Sequence, residues 1–168
     1  MRKNNNKIAG RILLLSSLFA AQAFADVQIL GSESEISQAI AQSYRQPVTL
    51  YSGHLSQQDL LYVNAGSASG DELNLAQQHI VRGDTVVLDL TAIAGEEAQF
   101  SLSQKLTGLG ISAPVVVTGT YQGDALVNAI VSDVTDENGN SLNNPTAELE
   151  SITQSLQHAL DRFGFGGN

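Results

Sequence analysis

From Glu33 to Arg45 the apolar residues Ile36, Ala39, Ile40 and Tyr44 recur at the three-to-four spacing of one helical face. Ser32-Glu33-Ser34-Glu35 stands before them as a capping box, in which a serine oxygen satisfies an exposed amide and the glutamate reaches back. This predicts a helix over 33–45, ended by Pro47, which disfavours helical backbone in the residue before it. A second box, Ser69-Gly70-Asp71-Glu72, opens a helix through Leu73, Ala76 and Ile80, and Gly83 supplies its left-handed cap. A third helix follows Glu96 and Glu97 through Ala98, Leu102, Leu106 and Leu109 to Gly108–Gly110, with both acids favoured at the positive end of its dipole. The last begins at Asn144-Pro145, a cap followed by proline in the first turn. It carries Leu149, Ile152, Leu156, Ala159, Leu160 and Phe163 as one stripe. The tail after it, 163–168, is expected to fray.

Strands show different spacing. Val27–Leu30 is a short apolar run and Val48–Ser52 alternates. Asp84–Ile93 is the clearest, with Val86, Leu88 and Leu90 facing one way and Val87 and Asp89 the other. "SAPVVVTGTYQGDALVNAIVSD" reads as two strands joined at Gln122-Gly123-Asp124. Leu55 to Val63 is ambiguous, and Ser56 there fits as the cap of a short helix carrying Leu60, Leu61 and Val63. The expected order is β-α-β-α-β-α-β-β-α: an α/β domain with one mixed sheet and helices on both faces. That is the order of a thioredoxin-like domain. Pro114 then occupies the place before the hairpin where that fold has a cis-proline, unless it only starts an edge strand.

Composition narrows the functions. Arg2, Lys3, Lys7 and Arg11, the apolar run Ile12–Ala21 and Ala23-Phe24-Ala25 read as a signal peptide over 1–25, leaving 26–168 as one domain. All 17 acids lie after that leader against Arg45, Arg82, Lys105 and Arg162, so 26–168 carries 4 − 17 = −13. Such a surface repels nucleic acid and anionic lipid. The chain has no cysteine, which excludes thiol redox chemistry and thiolate metal sites. Where a thioredoxin-like domain holds its cysteine pair, this chain has "LYSGHLSQQD", with Ser52, His54 and Ser56. An exported enzyme of non-cysteine type would need His54 within reach of Ser52 or Ser56, beside a pocket at Pro114. The histidines are scattered, with His79 and His158 read as helix-surface residues, and no metal or cofactor site is expected.

The segment "DTVVLDLTAIAGEEAQFSLSQKLTGLGISAPVVVTGTYQGDALVNAIVSD", with the earlier helix "SEISQAIAQSYR", resembles the amino-terminal pro-domain of vibrio pore-forming cytolysins. The similar features are a hydrophobic strand with an inner acid, here Asp89, then a helix, a valine-rich strand and a glycine turn, here Gly123. The likeness runs from Ile29 to Asp133. A free-standing domain of this kind is similar to the accessory proteins that accompany haemolysins lacking the pro-domain. The resemblance implies a chaperone-like protein, not an enzyme, that binds a pore-forming haemolysin encoded nearby and assists its folding, solubility or export. Neither nucleic-acid binding nor membrane insertion is implied, and the expected place is the periplasm or beyond. Aromatic and leucine residues anchor interfaces, which singles out Tyr51, Leu60, Leu61, Tyr62 and Tyr121 as candidate contacts, the alternative being that most belong to the core.

Overall fold

The computed structural model describes residues 25–131, 134–138, 142 and 144–166. The leader assigned to 1–25 lies outside them except for Ala25. Along these residues run β1 (Val27–Leu30), α1 (Glu35–Tyr44), β2 (Val48–Leu50), β3 (Leu60–Asn64), α2 (Gly70–Arg82), β4 (Val86–Asp89), α3 (Glu96–Thr107), β5 (Val115–Tyr121), β6 (Asp124–Ile130) and α4 (Pro145–Arg162). The strands form one sheet in the order β2-β1-β3-β4-β5-β6. β2, β1, β3 and β4 are parallel, and β5 and β6 add antiparallel at the β4 side. The expected class, a single mixed sheet with helices on both faces, is the observed one.

The expected element order lacked one strand. Leu60–Asn64 is not a short helix but β3, paired with β1 on one side and β4 on the other. A strand covered on both faces has no polar alternation, so "LLYV" carries no period-two signal. Leu60 and Tyr62 join Val27, Ile29, Val87, Val115 and Val117 beneath α1 and α4. Leu61 and Val63 join Leu30, Val86, Leu88 and Val116 beneath α2 and α3. β1, β3 and β4 thus feed two cores with alternate residues, while the edge strand β2 contributes only Val48.

The caps explain where helices begin. The boxes at Ser69/Glu72 and the Asn144-Pro145 start are present. At α1 the box is two residues later than the sequence suggested: Ser34, not Ser32, caps, and Ser37, not Glu35, reaches back to the Ser34 amide at 2.9 Å. The peptide bonds of the described residues are trans, Pro114 included, so the cis alternative does not hold. Its carbonyl instead accepts from the Leu90 amide at 2.8 Å. Nor does Pro114 start an edge strand, since β5 lies between β4 and β6.

The expected fraying is also corrected. Phe163 lies against Gly119, where an added Cβ would come within 2.8 Å of the ring. Phe165 is buried and meets Tyr44 edge-on at 4.8 Å, and its amide donates to the Leu160 carbonyl at 3.1 Å. The chain is therefore docked as far as Gly166, because two aromatic rings find a glycine floor on β5 and a tyrosine on α1.

Candidate functional site

β2 and β3 flank β1 on opposite sides, so residues 51–59 have to cross β1. They do so without a helix. Gln28, in the middle of β1, holds the crossing: its Oε1 accepts from the Ser52 amide at 3.0 Å and hydroxyl at 3.3 Å. Its Nε2 donates to the His54 carbonyl at 2.9 Å and to Asp59 Oδ2 at 3.0 Å. A buried amide whose donors and acceptor are all used organises a loop at little desolvation cost. Asp59 closes the far end, accepting from the Asp26 amide at 3.0 Å and from the Ser56 amide at 2.8 Å and hydroxyl at 2.5 Å. Burial opposes ionisation of Asp59, but these donors together outweigh it and hold its carboxyl below the usual range.

This arrangement does not bring the Ser/His candidates together as an enzyme site would require. Ser52, His54 and Ser56 are exposed, and among the described residues it is the His54 carbonyl, not the imidazole, that bonds Ser52. Ser56 is committed to Asp59. Pro114 precedes β5, with β3 and β4 between that strand and β1.

The other end of the crossing is fixed by Tyr51. Its hydroxyl meets His79 Nε2 at 2.9 Å, and the two rings stand nearly perpendicular, 5.3 Å apart. His79 Nδ1 is 2.7 Å from Asp84 Oδ2. The two ring nitrogens are thus each engaged, Nδ1 by the carboxylate and Nε2 by the Tyr51 hydroxyl. His79 is therefore not a surface histidine: it is 1% exposed, and ties α2 to the loop.

A third cluster lies at the C-terminal ends of β3 and β4, the end where open α/β sheets bind ligands. The Tyr62 hydroxyl donates to Asp89 Oδ2, and Ser34 Oγ, the α1 cap, is 2.5 Å from the same hydroxyl. Asp89 Oδ1 accepts from the Thr91 amide at 3.0 Å and hydroxyl at 2.5 Å. Burial, then the Asp89 charge, push the Tyr62 phenol far above its ordinary value, so it stays a donor. A cleft of about 330 Å³ opens beside the cluster between Ser34, Ile36, Thr91, Leu149 and Ile152. Asp89, the inner acid, thus joins two strands to a helix start.

The proposed contact residues separate. Leu60, Leu61 and Tyr62 are fully buried in β3 and offer no surface, which is the core alternative. Tyr51 is half-buried and occupied by His79. Tyr121 alone of the five is exposed, at the hairpin tip, with the Arg162 guanidinium 5.7 Å over its ring. Aromatic and leucine content does not distinguish an anchor from a core residue. The exposed apolar residues the sequence reading missed include Leu50 (75%) and Val81 (81%). Val81 lies off the Leu73, Ala76, Ile80 stripe of α2 and borders a groove of about 400 Å³ between α2, α3 and the β5–β6 hairpin. Among the described residues no helix is long and apolar enough to cross a membrane.

No protein-family profile and no solved structure matches the chain. Over 163 residues it is 65% identical to the cytolysin secretion protein of Vibrio vulnificus (strain CMCP6), covering 97% of each chain. It is 32% identical over 76 residues to the Holliday junction branch migration complex subunit RuvA of Campylobacter concisus, covering 45% of this chain and 41% of that one.

Proposed function

The chain belongs to the family of the cytolysin secretion protein, and from that premise we propose that it is an exported, chaperone-like accessory of a pore-forming cytolysin. It binds the toxin, keeps it soluble and folding-competent, and supports its secretion. The toxin is encoded nearby, and the complex forms in the periplasm after the leader of residues 1–25 is removed. The protein works by binding, without a cofactor and without catalysis.

The observation that carries this reading is the similarity to the cytolysin secretion protein along nearly the whole chain. Two physical features support it. A charge of −13 over 26–168 lends solubility to a bound apolar client. The polar clusters around Gln28, His79 and Asp89 spend their hydrogen bonds on holding the fold. The test is to express the cytolysin in an exporting host with and without this protein, measuring soluble haemolytic activity outside the cells and recovery of the two proteins as a complex. Equal yield and activity without the protein would sink the reading.

A further inference from the structure

β6 ends the sheet, and among the described residues nothing pairs with its outer edge. The hairpin turn Gln122-Gly123 has positive φ at both residues (53° and 93°), the geometry of a two-residue turn. In such a hairpin the flanking pair, Tyr121 and Asp124, exchange hydrogen bonds, and alternation along the register directs Leu126, Asn128 and Ile130 to β5. The N–H and C=O groups of Ala125, Val127 and Ala129 therefore point outward, and no described residue bonds them. Exported proteins blunt such edges with proline, lysine or a bulge. β6 has none of these over its 7 residues, and its register is uninterrupted.

The side chains of Ala125 and Val127 face the groove between α2 and α3, alongside Val81, Leu106 and Thr118. Thr118 is 3% exposed, yet its hydroxyl has no hydrogen-bond partner. A buried unpaired hydroxyl is a cost that an incoming polar group would remove. The groove's charge is also unlike the rest of the molecule. In a chain of −13 over 26–168, Lys105 is the only charged residue lining it among the described residues, and none of their carboxylates pairs with Lys105.

We propose that β6 and this groove are the docking site for an extended segment of the cytolysin. The segment adds as a strand beside Ala125–Ala129, places apolar side chains over Val81 and Val127, and sets a carboxylate against Lys105. Main-chain hydrogen bonds supply affinity, and the groove selects alternate side chains. This rests on the proposed chaperone-like function. An exported toxin exposes such segments before it folds.

The test uses the full mature protein with co-expressed cytolysin. Val127→Pro removes an outward N–H that β5 does not use, and Val81→Asp puts a negative charge at the groove rim on an exposed helix position. Leu50→Asp, on the opposite edge, is the control. Folding is checked by circular dichroism, and Val81→Asp carries the test if Val127→Pro melts early. The expected result is complex formation at least about tenfold weaker for both groove variants, and unchanged for the control. If the wild type binds cytolysin and the groove variants bind equally well, the docking site is refuted while the function stands. If the wild type forms no complex, both fall. A dimer of the protein alone that is present at low ionic strength and that Val127→Pro abolishes would assign the edge to a second copy and overturn the client proposal.

Discussion

Replacing Tyr62 by Phe removes one oxygen from the interior and leaves the ring in place. Tyr62 is fully buried in β3, so no cavity opens. The loss is the donor to Asp89 Oδ2, in a residue 2% exposed. Asp89 Oδ1 keeps the Thr91 amide and hydroxyl, but Oδ2 is left without a donor among the described residues. Ser34 remains a cap through the Ser37 amide at 3.3 Å. An unpaired buried acceptor of a charged group costs about 1.5–3 kcal/mol, and the central estimate here is about 2 kcal/mol. For a chain of this size that lowers the melting temperature by about 6 °C. Asp89→Asn removes the charge that makes the orphaned oxygen costly, so Tyr62→Phe/Asp89→Asn should be less destabilised than the sum of its parts by about 1 kcal/mol. Thermal and urea melts followed by far-ultraviolet circular dichroism measure all four proteins. A Tyr62→Phe variant within about 0.5 kcal/mol of wild type, or strict additivity in the double variant, would refute the reasoning. Toxin binding per folded molecule should not change, because Tyr62 has no surface to offer.

Gln28→Leu should free the crossing at 51–59, at a cost of about 2 kcal/mol, and show as faster limited proteolysis within those residues than elsewhere. Gly119→Ala sets a methyl group against the Phe163 ring. It should cost about 1–3 kcal/mol and expose the residues after Arg162 to carboxypeptidase, read by mass spectrometry. Asp59 has a depressed folded value, so its stabilising contribution is complete above the ordinary aspartate value and is lost as pH falls below it. Urea melts between about pH 5 and about pH 2 should therefore show a shallower loss of stability for Asp59→Asn than for wild type.

The helices were legible because their signals are local. Ser69 and Glu72, or Asn144 and Pro145, sit within three residues of each other, and the structure uses them as the sequence suggests. α1 was found but its cap was misplaced, since a serine at the third helical position substitutes for a glutamate when buried there: Ser37 is 0% exposed. β3 escaped because burial on both faces erases alternation. The polar clusters escaped for a different reason. Tyr51 and His79 are 28 residues apart, Tyr62 and Asp89 are 27 apart, and Gln28 lies 31 residues from Asp59. Only the strand order brings each pair together, and no spacing rule encodes it. The hairpin itself was read correctly, and the strand order decides what the sequence left open: β5, led by Pro114, is interior, and β6 forms the edge of the sheet.

That edge raises a physical problem which the charge answers. An unprotected edge strand with apolar neighbours invites pairing between identical chains. Two copies meeting edge to edge would also bring together two surfaces of −13 over 26–168. Net charge far from zero keeps proteins monomeric by such repulsion, and the effect weakens as salt shortens the screening length to about 3 Å at 1 M. A cytolysin segment with fewer carboxylates escapes most of that repulsion, so the same edge discriminates between a client and a second copy without any blocking residue. The consequence is measurable by sedimentation. Self-association of the protein should be absent at low ionic strength and should rise with salt, and Val127→Pro should suppress the rise. Association that is strongest at low salt would mean that charge does not guard this edge.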